Sequence, residues 1–268
     1  MSSELVPAEL VKAAIEVARE RGQPVAEVPL TTIAAAAGIS RSTLLRRLGG
    51  TRAALDEAVR EAGVDPGGRL PVRERAIEAA GHLLAEHGLA SVTLEAVARA
   101  ARCSLPSLHT VFDGRDGLLA AVFERYGPLP DLETLAVNPP AGLEDLVRAI
   151  YDVLIAALGR SPRVFPAFMA DVFGRPGGPA SRLLESYMPR MATTMVALLR
   201  PHIEAGRLRP LPLPLLVQLL FSPLVAHMLL RPTLEGSFGE QLPPVEQVRE
   251  VFVDAFLRAT VASEAATR

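Results

Sequence analysis

The sequence contains no tryptophan and a single cysteine, and aromatic residues make up only 4% of its 268 positions. With Cys103 alone, no disulfide can form within one chain, so we expect a reducing compartment. The scarcity of aromatics leaves leucine, valine, alanine and isoleucine to build the core. Long alternating runs of β-branched residues are also missing, while alanine and leucine are strong helix formers, so the sequence predicts an all-α protein.

An excess of positive charge is absent as well, because the formal net charge is −2. A globally basic nucleic-acid coat is therefore excluded, and any DNA contact must come from a local patch. The N-terminus lacks an unbroken apolar core, and we expect no signal peptide and a cytoplasmic protein. The most apolar stretch, Leu213–Leu230, is interrupted by Pro214, Gln218, Pro223 and His227. We interpret it as a buried or dimer-forming helix and expect no membrane partner.

Sequence motifs of catalysis are missing too. The five histidines form no cluster with cysteine, and no phosphate-binding loop, dinucleotide glycine fingerprint or nucleophile elbow occurs. Aspartate and glutamate are scattered rather than paired in a recognisable acid/base site. We therefore expect no enzyme, no metal and no cofactor.

An internal repeat organises the first half of the chain. The segments Leu30–Leu55 and Leu94–Leu119 align at a constant offset of 64 residues. The matched pairs are Ile33 with Val97, Ala34 with Ala98, Ala37 with Ala101, Ser40 with Ser104, Leu44 with Leu108, and Leu48 with Phe112. Each copy predicts four short helices, and in the second copy Thr93 and Ser104 are plausible N-caps. A tight turn followed by a helix that opens on serine indicates a helix-turn-helix.

Both copies resemble the N-terminal domain of the TetR family of regulators. The second copy supplies Thr93, Val97-Ala98, Ala101, Ser104, Ser107-Leu108, Phe112, Arg115-Asp116 and Leu118-Leu119. The first supplies Ile33-Ala34, Ala37-Gly38-Ile39-Ser40, Thr43-Leu44, Leu48 and Leu55, and is degenerate at Pro29 and Thr51-Arg52. The resemblance implies tandem helix-turn-helix domains at 1–64 and 70–127, followed by a helical ligand-binding and dimerisation domain at 141–265.

Candidate DNA-binding residues lie around the third helix of each copy. In the first copy this region is rich in arginine, which can bind guanine bidentately, and no acid occurs between residues 38 and 55. In the second copy it offers apolar contacts for a thymine methyl group and hydroxyls for phosphate, and Arg115 stands where the family has a phosphate-binding lysine. The candidates are Ser40, Arg41, Ser42, Thr43, Arg46, Arg47, Arg52, Thr93, Ser104, Leu105, Pro106, Ser107, His109, Thr110 and Arg115.

The C-terminal half becomes more apolar after a predicted linker between residues 127 and 140. Helices are predicted at about 143–158, 162–173, 179–205, 214–230 and 244–262. The last helix carries one apolar stripe, formed by Val245, Val248, Val251, Phe252, Ala255, Phe256 and Ala259. With the preceding helix it would form a homodimer interface, as the resemblance also implies. Candidate residues for a small apolar effector are Tyr151, Phe165, Phe168, Met169, Phe173, Tyr187, Met188, Met191, Met195, His202, Phe221 and His227.

The sequence and the resemblance together predict a bacterial, ligand-responsive transcription regulator, with repression as the family's usual mode. Two alternatives remain open at this stage. One is a helical ligand-binding or protein-interaction module in which at most the second helix-turn-helix contacts DNA. The other is a regulator in which the first copy serves only for docking.

Overall fold

A computed structural model of the chain describes residues 6–68 and 70–261. In that part of the chain there are fourteen α-helices and no strand, so the all-α prediction is confirmed. The helices are α1 (Ala8–Arg21), α2 (Leu30–Ala36), α3 (Arg41–Arg47), α4 (Ala53–Glu61), α5 (Val72–His87), α6 (Leu94–Ala100), α7 (Leu105–Phe112), α8 (Arg115–Tyr126), α9 (Leu129–Val137), α10 (Leu143–Gly159), α11 (Val164–Gly174), α12 (Pro179–Glu204), α13 (Leu213–Phe238) and α14 (Val245–Thr260).

The chain divides into two compact units, Met1–Arg75 and Ala76–Arg268. The three-domain organisation inferred from the sequence stays a prediction. Positions 1–5 of the first predicted domain and 262–265 of the last lie outside the described residues.

The first unit consists of α1 to α4 around one apolar core. Leu10, Ala14 and Val17 lie on one face of α1, because residues four and seven positions apart share a helix face, and all three are buried. Gly22 ends α1 in the left-handed region, at φ 61°, where glycine carries no steric penalty. The four helices predicted for this copy are confirmed.

The second unit begins with the same arrangement, in α5 to α8. The Thr93 side chain accepts a hydrogen bond from the Ala96 backbone N–H at 3.1 Å, and Ser104 accepts one from the Ser107 N–H at 3.2 Å. Both predicted N-caps are confirmed, and each satisfies a backbone donor that the first helical turn cannot pair internally.

The predicted linker between residues 127 and 140 is wrong, because most of it forms α9. Its prolines begin the helix instead of interrupting it: Pro128 precedes the first turn and Pro130 lies within it, where no backbone N–H is required. Leu129 and Leu132 are fully buried, which anchors α9 in the second unit. The sequence prediction missed this helix because it treated the prolines as helix breakers.

Helices α10, α12, α13 and α14 enclose an apolar core of the second unit. Ile150 and Leu154 of α10 belong to the same buried cluster as Leu198 of α12, Leu220 of α13 and Phe256 of α14. The predicted helices are present, but α13 continues past Leu230 to Phe238. The apolar run stops at Leu230, whereas the helix is continued by polar residues, including an ion pair one turn apart between Arg231 and Glu235 at 2.8 Å.

Candidate nucleic-acid interface and ligand cavity

The helix α3 presents an arginine-rich outer face. Leu44 is fully buried and fixes the helix against its unit, while Arg41, Arg46 and Arg47 are exposed. Arg47 lies 3.2 Å from Glu9 in an exposed ion pair. Among the described residues, the guanidinium groups of Arg41 and Arg46 form no ion pair or hydrogen bond. Two cations of this face are therefore available to an anionic partner.

Three side-chain hydroxyl groups lie close together at the start of α3. The Ser40 Oγ accepts a hydrogen bond from the Thr43 N–H at 3.1 Å and lies 2.9 Å from both the Ser42 Oγ and the Thr43 Oγ1. Ser40 is thus first of all the N-cap of α3. Ser42 is exposed and Thr43 is half-buried, so Ser42 is the more accessible of these hydroxyls.

The equivalent helix of the second unit, α7, carries one ionisable side chain, His109. Pro106, His109 and Thr110 are exposed, whereas Leu105 and Ser107 are half-buried. The Ser104 and Ser107 hydroxyls lie 2.7 Å apart, and Thr110 donates to the Pro106 carbonyl at 3.0 Å. This face offers apolar surface and few hydroxyls, and no Lys or Arg lies within α7.

The turn before each of these helices needs one residue in the left-handed region. In the first unit it is Gly38, at φ 69°, and in the second it is Arg102, at φ 50°. Their N–H groups donate to equivalent carbonyls, of Ala35 and of Arg99. The two helix-turn-helix backbones are therefore built alike, although the second uses a side chain that rarely adopts this conformation.

Two arginines predicted to bind DNA are held inside their own units. Arg115 donates from Nε to the Val92 carbonyl at 2.6 Å and from Nη2 to the Leu89 carbonyl at 2.9 Å. Arg52 does the same in the first unit, bonding the carbonyls of Val28, at 2.7 Å, and Val25. Both arginines are half-buried. Each ties the short 3₁₀ turn before the helix-turn-helix to the start of the helix after it; we name this contact the arginine clamp.

Desolvation raises the pKa of Asp56, which lies 3.4 Å from the Arg52 Nε, while the Arg52 charge works against that rise. Partial burial of both partners is the cause. In the first unit the arginine clamp therefore includes a carboxylate, because Asp56 forms an ion pair with the Arg52 guanidinium.

A cavity of about 280 Å³ lies among α8 to α13, within the second unit. Seven of the predicted effector residues line it: Phe165, Met169, Phe173, Tyr187, Met188, Met191 and Phe221. The sequence prediction missed Phe123, Pro128, Leu129, Leu154, Leu184, Val217, Ser222 and Val225. The lining contains no Lys, Arg or His, and its polar side chains are Tyr187 and Ser222. The arrangement favours an uncharged, apolar ligand.

The other five predicted effector residues do not line the cavity. Phe168 is buried against Phe123, with ring centroids 4.6 Å apart, and Met195 lies in the apolar core. Tyr151 is fully buried; its hydroxyl has no hydrogen-bond partner among the described residues, and desolvation raises its pKa to about 12. None of the three lines the cavity.

The two histidines of that set each face an arginine. His202 accepts a hydrogen bond from Arg207 at 3.0 Å, and His227 lies 3.2 Å from the Arg231 guanidinium. Burial, and then the neighbouring positive charge, lowers the pKa of both imidazoles. Neither histidine lines the cavity, and each bonds an arginine of its own helix or of the turn that follows it.

The cavity wall is bonded directly to α8, the last helix of the second helix-turn-helix unit. The Tyr187 hydroxyl, on α12, donates to the Ala120 carbonyl of α8 at 3.1 Å. Burial, followed by the nearby Glu124 charge, raises the pKa of Tyr187 to about 12, so the phenol keeps its proton. One turn later Arg190 bonds both Glu124 of α8 and Glu133 of α9. Two side chains of α12, one of them in the cavity wall, therefore bond α8.

An unpaired apolar face runs along α13 and α14. Leu215, Leu219 and Leu230 of α13 are exposed, as is Val251 of α14. The apolar stripe predicted for α14 does not form a single face. Val248 and Phe256 are buried in the unit, whereas Val251, Ala255 and Ala259 are exposed. Among the described residues, Leu213–Gln241 is the one continuous helical segment long and apolar enough to cross a membrane, and 22% of its most apolar window is buried.

Residues 76–122 match the family described as bacterial regulatory proteins, tetR family. No curated protein matches the chain. A TetR family transcription regulator from Marinobacter aquaeolei VT8 is 19% identical, at a TM-score of 0.55 over 72% of this chain and 96% of its own. The fatty acid degradation regulator FadR from Bacillus halodurans is 16% identical, at 0.56 over 69% and 97%. A putative fatty acid metabolism regulator from Clostridium perfringens is 17% identical, at 0.55 over 70% and 100%.

The family match confirms the TetR-family resemblance for residues 76–122, and the solved structures show that the chain shares their fold. The matched family segment begins in α5 and ends in α8, so it coincides with the second repeat and leaves the first unmatched. Nearly the whole of each solved chain matches about seven tenths of this one, which shows a shared fold.

Proposed function

We propose that this chain, which carries a TetR-family DNA-binding domain at residues 76–122, is a homodimeric, ligand-responsive regulator that releases its operator when an uncharged apolar effector enters the cavity. The proposal rests on one hydrogen bond: the Tyr187 hydroxyl, in the cavity wall, donates to the Ala120 backbone carbonyl in α8, the last helix of the DNA-binding domain. The outer face of α7 then reads bases, and the Arg115 clamp sets the position of that helix rather than binding phosphate. The function is regulatory rather than enzymatic, and its place is the cytoplasm.

The composition of the cavity decides the class of effector. Two of the similar proteins of known structure are described as fatty acid regulators, which makes alkyl chains a sensible first class of probe. A free carboxylate would have to leave water without meeting a cation, because the lining contains none. Neutral alkyl compounds should therefore bind more tightly than the free acid of the same length.

The proposed dimer uses the exposed apolar face of α13 and α14. Leu215 and Leu219 lie one turn apart on α13, and Val251 and Ala255 repeat that spacing on α14. Packing this face against a second copy would remove it from water, as two-fold helical interfaces do. A lipid partner is disfavoured because α13 includes the half-buried pair His227 and Arg231, which bond each other.

Effector binding can be tested with fatty alcohols, methyl esters and free acids of matched chain length. We expect the neutral compounds to displace the protein from DNA at lower concentration than the acids. The substitution Met169→Trp places an indole in the cavity and should weaken that response by roughly tenfold or more, since the larger side chain fills space that the probe needs. Val137→Trp, at a position 85% exposed on α9 and outside the cavity, is the matched control. Equal responses of both variants would contradict the cavity assignment.

The same titration separates ligand binding from ligand response. Tyr187→Phe keeps the ring in the cavity wall but removes the bond to the Ala120 carbonyl. We expect near-normal uptake of the neutral probe, followed by calorimetry, with a smaller drop in DNA affinity. Coupling between two sites typically amounts to about 5–150-fold in affinity, and this variant should lower that factor. An unchanged coupling factor would mean that α8 responds through other contacts.

A further inference from the structure

We infer that the first unit, α1 to α4, is a second DNA-binding module that recognises a guanine-containing duplex through Arg41 and Arg46 of α3. The inference rests on the proposed function, because it extends DNA recognition from the second unit to the first. The family match at residues 76–122 does not cover this unit. The supporting observations are the construction of the unit and the charge on its outer face.

The two units place their recognition helices in the same way. Ser40 caps α3 through the Thr43 N–H, as Ser104 caps α7 through the Ser107 N–H. Leu44 is fully buried beneath α3, and its counterpart Leu108 is fully buried beneath α7. The outer face of α3 therefore corresponds to the outer face of α7, the helix that the proposed function assigns to DNA reading.

The arginine clamp is a second and independent point of correspondence. Arg52 bonds the carbonyls of Val25 and Val28, and Arg115 bonds those of Leu89 and Val92. The carbonyl-bearing residues differ in number by the repeat offset of 64, although the two arginines differ by 63. The arginine clamp is present in both units although the two arginines are displaced by one residue in the alignment. It fixes the position of α3, and a helix that served only as solvated surface would not need a fixed position.

The outer faces differ in chemistry, and this difference defines the ligand. Arg41 and Arg46 are exposed, and no acid occurs between residues 38 and 55 to neutralise them. Guanidinium donors match the two acceptors of guanine in the major groove, and they also neutralise phosphate. The α7 face contains no Lys or Arg and matches thymine methyl groups better. One chain would then read two unlike subsites, one containing guanine and one rich in thymine.

The test begins with the full chain and a random-sequence pool of duplex DNA, from which bound sequences are selected. We expect two subsites per protomer. Arg41→Ala with Arg46→Ala should remove the guanine preference of one subsite and weaken binding by roughly tenfold or more. It should also flatten the slope of log affinity against log salt by about 1 for each phosphate that is no longer neutralised. Both side chains are exposed, so folding should be unaffected, which thermal unfolding would verify.

A matched control and a conservative variant identify the cause. Lys12→Ala with Arg19→Ala removes the same charge from the groove between α1 and α4, where α3 takes no part, and should leave the guanine preference intact. Arg41→Lys with Arg46→Lys keeps the charge and removes the bidentate geometry. It should retain the salt slope while abolishing the guanine preference.

The outcomes separate this inference from the proposed function. His109→Ala with Thr110→Ala should alter the other subsite only. If that variant weakens binding while the arginine-to-alanine variant changes neither affinity, salt slope nor selected sequence, the first unit does not read DNA and the proposed function stands. If the unaltered chain selects no sequence at all, both are overturned.

Discussion

Replacing Leu219 and Val251 together with glutamate is expected to convert the protein to a monomer and to lower operator affinity by about 10²–10⁴-fold, because the two halves of the operator would no longer be bound by linked units. Leu219 is 43% exposed and Val251 is 58% exposed, so the new carboxylates remain hydrated in the monomer and should not unfold it. In a dimer the same carboxylates would be buried without partners, at a cost of several kcal/mol. Light scattering gives the mass, and a DNA titration gives the affinity.

The matched control is Val137→Glu, which adds a carboxylate at an exposed apolar position on α9. It should leave both the mass and the affinity unchanged. A double variant that stays dimeric would place the interface on another face, and a monomer with undiminished affinity would show that the operator does not need linked protomers.

Arg115→Ala should give the second large effect, and the effect should be on stability. The side chain holds two carbonyls, of Val92 and Leu89, whose residues are buried. Removing charge-assisted bonds to buried acceptors costs about 1–3 kcal/mol for each acceptor left unpaired. Unfolding of the second unit should therefore shift downward by roughly 5–10 °C. Arg125→Ala, on the exposed side of α8, serves as the control.

The same variant discriminates between the two roles of Arg115. If it acts as a clamp, DNA affinity falls because α7 is misplaced, while the salt slope of the remaining binding stays the same. If it binds phosphate, the slope falls by about 1 and the unfolding temperature hardly moves. The second pattern would restore the role that the family resemblance implies and would contradict the clamp.

The helix-turn-helix elements could be predicted because the residues that define them act locally. Thr93 and Ser104 cap helices through bonds three residues away, and the repeat places buried residues such as Leu44 and Leu108 at matching positions. Caps and apolar periodicity are properties of short segments, so a single sequence carries them. The clamp was not predictable in this way. The repeat alignment matches Arg115 with Thr51, and only the fold shows that Arg52 performs the equivalent role.

The ligand cavity was predicted only in part, for a physical reason. Met169 and Phe221 line it, while Phe168 and Met195, of the same residue types, lie in the core. Whether an apolar side chain faces a cavity or a neighbouring helix depends on long-range packing, which periodicity does not encode. Phe123 was missed because it belongs to the helix-turn-helix unit in sequence but reaches the cavity in space.

The most direct test of the central claim compares the affinity of the full chain for a duplex selected from a random-sequence pool with its affinity for a shuffled duplex of the same composition, at physiological salt. The account predicts that the selected duplex binds at least about 10³-fold more tightly, as expected for a sequence-reading regulator. Equal affinities for the two duplexes would contradict it, because binding would then rest on phosphate contacts alone.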